Sequence, residues 1–110
     1  MAFSPVGLVT VAAPGTPVQL TATRTPCRLV SIQPIKGFQA ANAGIVDNVG
    51  AVYIGRVGMN KATGVNVIWV LQPEQASQLF GNEVGAGEDP SLYYVDADNA
   101  GDSVLVSYGI

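Results

Sequence analysis

Hydrophobic and polar residues alternate most regularly at the end of the chain, in the stretch LYYVDADNAGDSVLVSYGI at Leu92–Ile110. In its second half, Val104, Val106 and Tyr108 occupy one set of alternate positions, while Leu105 and two serines occupy the other. A period of two is typical of a β-strand with one buried face. The Asp, Asn and Gly residues between the two apolar runs favour a tight turn. The pattern predicts a β-hairpin.

Similar short runs, separated by turn-forming residues, recur along the chain. The predicted strands are Val6–Val11, Val18–Thr23, Cys27–Ile35, Ala51–Ile54 and Val65–Leu71. Within the third run, Val30 and Ile32 are expected to face a core, and Pro34 marks a strand end or an edge. Many short strands in 110 residues predict one all-β domain, a sandwich or a barrel, in which residues 1–15 could form an N-terminal arm.

Two segments leave alternatives open. Lys36–Gly50 is rich in Gly, Ala and Asn, which favours a long loop, although its alanines also fit a single helical turn. Gln72–Phe80 fits either a two-turn helix or a strand that begins with polar residues. The residues from Gly81 to Pro90 form an acidic, Gly-containing stretch that is typical of a loop.

The run VNVIWVL at Val65–Leu71 is apolar on both of its faces. One face would carry Val65, Val67, Trp69 and Leu71, and the other Ile68 and Val70. A strand of this kind is normally covered on both sides. We therefore predict that Ile68 and Val70 contact another protein chain, or that the N-terminal arm covers them.

Charged residues make up only 12% of the chain, against about a quarter in an average protein. Part of the surface is either covered by another protein or solvated by uncharged polar residues. All five basic residues lie in the first 61 positions with one acid, and the other seven acids follow. This asymmetry could orient docking, or the acids could only solvate loops. Five scattered cations in a chain of net charge −3 do not predict nucleic-acid binding.

Few residues are suited to catalysis, because the chain has no histidine and a single cysteine, Cys27, in an apolar run. The segment Asp96–Asp102 resembles the start of a calcium loop but lacks its later ligands, so a hairpin turn is the stronger interpretation. Glu88 and Asp89 are expected to be solvated loop charges. Tyr93, Tyr94 and Trp69 could line a sugar platform, but such residues more often pack within a sheet.

We therefore assign no catalytic residue, no cofactor and no metal ligand, and we predict a protein that is not an enzyme. The apolar N-terminal residues lack an early positive charge and are interrupted by Pro5 and Gly7, so no signal peptide is expected. No apolar run has the length of a membrane span.

Three segments carry a resemblance to a group of small virion proteins of tailed bacteriophages: VQLTATRTPCRLVSIQ at 18–33, VYIG at 52–55 and LYYVDADNAGDSVLVSYG at 92–109. The likeness covers about half of the chain. In that group a shorter connection precedes the VYIG-like strand, and a Pro-Gly-Glu turn follows the next strand. Here residues 36–50 form a longer connection, and Gln72-Pro-Glu-Gln replaces that turn.

With this resemblance, the predicted fold is a compact antiparallel β-sandwich of jelly-roll type. The resemblance implies a protein that decorates or cements a capsid, or forms part of a head fibre. It implies the major capsid protein and copies of the chain itself as partners, with a trimer favoured, and a place on the outer capsid surface after assembly in the host cytoplasm. Ile68 and Val70 become candidates for a self-association or capsid interface. The alternative function is a carbohydrate-binding module of a virion or a secreted assembly.

Overall fold

The computed structural model describes residues 3–35, 47–74, 78–81 and 87–109. These residues form eight β-strands and one short 3-10 turn, Pro90–Leu92. The strands are β1 (Phe3–Thr10), β2 (Val18–Gln19), β3 (Leu29–Pro34), β4 (Val52–Asn60), β5 (Val65–Leu71), β6 (Gln78–Gly81), β7 (Tyr94–Ala97) and β8 (Ser103–Gly109). The prediction of an all-β protein is confirmed.

The strands form two antiparallel, four-stranded sheets. The first sheet has the order β1-β8-β3-β6, and the second has the order β2-β7-β4-β5. Strand β1 pairs with β8, β2 with β7, β3 with β6, and β4 with β5. The additional pairs β3–β8 and β4–β7 join these ladders into the two sheets.

The predicted hairpin over residues 92–110 is wrong, although both of its strands exist. Strand β7 pairs with β2 and β4 in the second sheet, whereas β8 pairs with β1 and β3 in the first. The turn between them therefore carries the chain from one sheet to the other. Gly101 has φ +92°, a conformation that glycine adopts without steric cost. The alternation predicts which face of each strand is buried, but it does not predict which strands pair with it.

One hydrophobic core contains side chains from both sheets. The first sheet contributes Val30, Ile32, Val104 and Val106, which are all fully buried, as the alternation predicted for β3 and β8. The second sheet contributes fully buried residues from its two central strands, namely Val52, Ile54, Val95 and Ala97. Because both central strand pairs direct a row of apolar side chains inward, the two inner faces bury each other.

Several predicted boundaries need correction. Strand β2 contains only Val18–Gln19 of the predicted strand Val18–Thr23, and Leu20, which follows it, is buried. Strand β4 does not end at Gly55 but continues to Asn60, with an irregular pairing to β5 on either side of that glycine. A Cβ atom at Gly55 would collide with the backbone carbonyl of Asn66, so glycine lets the two strands approach closely. Pro34 ends β3, as predicted.

For the ambiguous segments, residues 78–81 form strand β6, so the strand alternative holds for the described end of Gln72–Phe80. Residues 75–77 lie outside the described residues, as do residues 36–46 of the predicted long loop and 82–86 of the acidic stretch. Residues 3–10, which fall in the segment considered as an arm, pair along β8 as an edge strand. None of the described residues forms a helix with the length and apolarity to cross a membrane.

Candidate interaction surfaces

The outward side of the first sheet carries no charged side chain on β1, β3 or β8. Because Val104 and Val106 point into the core, their neighbours in β8 and the residues paired with these neighbours point outward. We call this surface the first-sheet face and define it by Phe3, Leu8, Ser31, Gln33, Leu105 and Ser107. Phe3 is 50% exposed and Leu8 is 41% exposed. Three of these six residues are uncharged and polar, as is usual on an outward sheet face, but large exposed apolar side chains such as Phe3 and Leu8 are more typical of a contact surface.

The second uncharged apolar surface lies on β5, an edge strand of the second sheet. The β5 patch consists of Val65, Ile68 and Val70, which are 56%, 40% and 46% exposed. Of the two alternatives, cover by the N-terminal arm is not found among the described residues, because β1 pairs with β8 in the first sheet and leaves Ile68 and Val70 exposed. Val65 also leaves the predicted inner face, because Asn66 has a positive φ of 56° that interrupts the alternation. The sequence-predicted interface residues Ile68 and Val70 are thus exposed together.

Buried polar side chains hold the turn between β7 and β8 against the described end of the loop before β4. Asp102 is 2% exposed, and its two carboxylate oxygens accept hydrogen bonds from Val49 N (2.9 Å) and Gly50 N (3.0 Å). Asn48 is 3% exposed; its Nδ2 donates to Ser103 O at 2.9 Å, and its Oδ1 accepts from Ser103 N at 2.7 Å. These contacts fix the end of the molecule where the chain changes sheets.

The other two carboxylates of the segment Asp96–Asp102 have separate partners. Asp96 is buried and accepts from Gly15 N at 3.0 Å. Asp98 is exposed, accepts from the Tyr53 hydroxyl and forms an ion pair with Lys61 at 3.2 Å. The three side chains therefore do not converge on one point. No group of three or more potential metal-ligating side chains occurs in the part of the chain that the structure describes.

Glu88 and Asp89 are not solvated loop charges, contrary to the expectation from the sequence. Asp89 is 6% exposed and caps the 3-10 turn, accepting from Ser91 N at 2.9 Å and from Thr25 N at 3.0 Å. Glu88 accepts from the Tyr93 hydroxyl at 2.7 Å. The acidic pair thus fastens the turn before β7 to the segment before β3, because a buried carboxylate needs hydrogen-bond donors.

These contacts shift two pKa values in opposite directions. Burial, reinforced by the hydrogen bond to Glu88, raises the pKa of the Tyr93 phenol to about 12. Burial would also raise the pKa of the Asp89 carboxyl, but the hydrogen bonds from Thr25 and Ser91 outweigh it, so this pKa is lower than usual. Both shifts favour the protonation states found at neutral pH, in which Tyr93 is neutral and Asp89 is ionised.

The three aromatic residues considered as a sugar platform do not share a surface. Tyr93 is 2% exposed and belongs to the core, and Trp69 packs against that core on the inner side of β5. Tyr94 points away from the core, because the adjacent Val95 is fully buried. It lines a half-open cavity of about 350 Å³ with Arg56, Val57, Ser91 and Leu92.

Cys27 is buried, as predicted, with 1% of its surface exposed. Its Sγ lies 3.5 Å from Glu88 O, and backbone hydrogen bonds join the two residues in both directions. Burial, followed by the negative charges of Asp89 and Glu88, raises the pKa of the Cys27 thiol. The thiol is therefore protonated at neutral pH and has the environment of a structural cysteine rather than that of a nucleophile.

Sequence reasoning missed Asn48, the one buried amide of the turn network, because no local pattern marks an asparagine whose partner is 55 positions away. It also missed that a charge of the basic first part pairs with an acid of the second part within the same chain, as Lys61 and Asp98 do at the surface. Both contacts join segments that are far apart in the chain.

Comparisons with models of protein families, with curated proteins and with solved structures gave no match.

Proposed function

We propose that this chain is a non-enzymatic structural protein of a virion, a capsid decoration protein that binds the assembled phage head and stabilises it. The proposal includes the fold, a β-sandwich of jelly-roll type. The pairs β1–β8, β2–β7, β3–β6 and β4–β5 support it, since they are the rungs of one long antiparallel hairpin rolled into two sheets. Jelly rolls of eight strands serve in viral capsid and lectin domains.

The observation that carries the functional proposal is the presence of two uncharged apolar surfaces on one small domain, the first-sheet face and the β5 patch. Fold alone does not give function, so these surfaces matter more than the topology. A decoration protein needs contact surfaces of this kind, both for its neighbours and for the shell.

The groups that most resemble catalytic ones are engaged elsewhere, which supports a non-enzymatic role. Cys27 is buried and protonated, and Glu88 and Asp89 hold the 3-10 turn in place. Their hydrogen bonds are satisfied within the protein. Breaking the hydrogen bonds of these side chains would therefore lower the free energy of unfolding and would not expose a reactive group.

The proposed partners are the major capsid protein and copies of the chain itself, with a trimer as the favoured oligomer and the outer capsid surface as the location. One small domain has too little contact area to bind tightly at a single site. An oligomer that contacts several capsid subunits gains avidity after its first contact. We therefore expect the chain to bind the finished lattice, which presents these sites at fixed spacing, in preference to free subunits.

The test is co-sedimentation of the purified chain with mature shells assembled from the coat protein of the same genome, with unassembled coat subunits as the comparison. We expect saturable binding to shells and at least tenfold weaker binding to subunits. Val70→Asp should reduce shell binding because it places a charge in the β5 patch. Ala22→Asp adds the same charge on an exposed loop, outside both surfaces, and should bind as the wild type does.

Equal binding to shells and subunits would contradict the lattice mechanism, and binding to neither would remove the capsid proposal. The carbohydrate-binding alternative would then take its place. The cavity beside Tyr94 favours that alternative, because it combines an aromatic ring, the Arg56 guanidinium and the Ser91 hydroxyl. A glycan array tests it: specific binding that Tyr94→Ala abolishes would support a sugar site.

A further inference from the structure

The cavity beside Tyr94 adjoins a second half-open cavity, because Ser91 and Leu92 line both of them. The second cavity has a volume of about 410 Å³. Arg24 lines this second cavity, and Arg56 lines the first. We call the two cavities together the arginine groove. None of its lining residues belongs to the first-sheet face or to the β5 patch, so the groove is a third surface of the domain.

An irregular part of β4 places Arg56 in this groove. Strand β4 pairs with β5 at Gly55 and again at Asn60, and the four residues between these positions lie opposite a single residue of β5, Asn66. Asn66 has a φ of 56°, and its Nδ2 donates a hydrogen bond to Val57 O at 3.0 Å. Bulges re-aim side chains and are common beside active sites. The side chain of Asn66 therefore fixes the bulge that carries Arg56.

The guanidinium of Arg56 is held in place without a carboxylate partner. Its Cζ lies 4.9 Å from the centroid of the Tyr93 ring, a cation–π contact, and the hydrogen bond to Glu88 fixes that ring. Among the described residues, neither Arg56 nor Arg24 forms an ion pair with a carboxylate. A guanidinium presents five N–H donors in a planar fork that matches the geometry of a carboxylate. Arg56 is thus prepared to bind a carboxylate from outside the chain.

The two carboxylates that line the groove already have donors of their own. Asp89 accepts from two backbone N–H groups, and Glu88 accepts from the Tyr93 hydroxyl. The groove therefore contains two cations without a carboxylate partner and two carboxylates that are hydrogen-bonded within the protein. Two charges of each sign disfavour a densely charged ligand, such as a nucleic acid, which needs clustered cations. A ligand with few carboxylates and many uncharged polar groups fits this balance.

We infer that the arginine groove binds an acidic oligosaccharide, a glycan with carboxylate-bearing sugar units, and that Arg56 and Arg24 bind its carboxylates. The Tyr94 ring provides an aromatic surface for the apolar face of a sugar ring, and the Ser91 hydroxyl can bond to sugar hydroxyl groups. A few placed polar groups beside apolar walls are typical of such sites. The inference goes beyond the decoration role, and it narrows the carbohydrate alternative to acidic sugars.

The first experiment screens the purified chain on a glycan array of trisaccharides that contain galacturonate, glucuronate, mannuronate, guluronate or sialate. Beside each stands its carboxyl-reduced form, which keeps the sugar and loses the charge, and a tripeptide of glutamate is added as a further probe. We expect at least one acidic trisaccharide to bind about tenfold more tightly than its reduced form, because hydrogen bonds between charged groups are the stronger kind. Added salt should weaken binding of the acidic form only.

The second experiment titrates ¹⁵N-labelled variants with the acidic trisaccharide that binds best. Arg56→Gln and Arg24→Gln should each lower the affinity several-fold, towards that of the reduced form. Lys61→Gln removes the same charge outside the groove, where Lys61 is paired with Asp98, and should bind as the wild type does. Tyr94→Ala should weaken binding of both sugar forms equally, because the aromatic contact does not depend on charge.

Other outcomes overturn the inference. These are an array on which no acidic trisaccharide binds, equal affinity for acidic and reduced forms, and an affinity that neither arginine variant changes. Equally tight binding of the glutamate tripeptide would assign the groove to an acidic protein segment instead. Should Arg56→Gln fail to fold by circular dichroism, Arg56→Lys replaces it, since lysine keeps the charge, loses the planar fork and should still bind more weakly.

The shell assay separates this inference from the proposed function. A chain that binds acidic sugars but not shells would retain the groove as a sugar site and contradict the decoration role. A chain that binds shells but no acidic sugar would contradict the inference and leave the decoration role standing.

Discussion

Removal of the Asp102 carboxylate is expected to destabilise the protein more than any other single change in the turn between β7 and β8. This side chain is 2% exposed and accepts two backbone hydrogen bonds, from Val49 and Gly50. Hydrogen bonds to charged groups contribute about 1.5–3 kcal/mol each, and Asp102→Ala leaves both donors without this acceptor. We expect a loss of about 3–5 kcal/mol in the free energy of unfolding.

The measurement is urea unfolding followed by circular dichroism, with Asp98→Ala as the matched control. Asp98 belongs to the same turn, but its side chain is 47% exposed and its ion pair with Lys61 lies at the surface. Exposed pairs contribute about 0–1 kcal/mol, so the control should change stability little. For a domain of this size, the Asp102→Ala loss corresponds to a fall in Tm of about 12–20 °C.

If Asp102→Ala leaves too little folded protein to measure, Asp102→Asn provides the milder test. It keeps one oxygen acceptor and should cost about half as much. Asn48→Ala combined with Asp102→Asn should cost less than the sum of the single changes, because both side chains hold the same loop. Equal losses for Asp102→Ala and Asp98→Ala would refute the reasoning, since burial of the carboxylate would then not matter.

Three further outcomes test the remaining contacts. Addition of Ca²⁺ or EDTA should leave Tm unchanged, since the carboxylates of the turn do not converge; a calcium-dependent rise would show a metal site, because a ligand of the folded state must stabilise it. The pKa of Tyr93 rises from about 10 to about 12 on folding. Its stabilising contribution is therefore complete below pH 10 and is lost as pH rises towards 12. In Tyr93→Phe, the free energy of unfolding should fall less steeply over this alkaline range. The pKa of Asp89 falls on folding, so its contribution is present above about pH 4 and is lost as pH falls further. Asp89→Asn should therefore be less stable at pH 7 and less sensitive to acid, and an unchanged acid transition would contradict the role of its hydrogen bonds.

The sequence predicted which side chains of β3 and β8 enter the core, because a period of two assigns every residue of a regular strand to one of two faces. It did not predict the partners of β7 and β8. Each strand is next to the other in the chain, yet they belong to different sheets. A short turn of Asp, Asn and Gly fits a hairpin and a crossing between sheets equally well, so local pattern cannot distinguish the two.

The exposure of Ile68 and Val70 could be foreseen only as one of two alternatives, because burial depends on what lies beside an edge strand. The long-range contacts of Asp89 and Asp102 could not be foreseen, although the cap that Asp89 forms on Ser91 is local. Their donors, in Thr25 and in Val49 and Gly50, lie 64, 53 and 52 positions away. Acidic residues in turn-like sequence are usually solvated, and only the fold brings backbone N–H groups close enough to bury them.

Charged residues are distributed unevenly between the turns and the strands of the molecule. Among the described residues, charged side chains in the turns are drawn into contacts that hold separate segments together, as Asp89 and Asp102 show. The strands of the first sheet and β5 carry none. The exposed faces carry both kinds of uncharged residue, since Thr10 and Gln33 are exposed on the same sheet as Phe3 and Leu8. Uncharged polar residues therefore account for part of the low charge, and the exposed apolar side chains of Phe3, Leu8, Ile68 and Val70 are what supports the proposed contact with another chain.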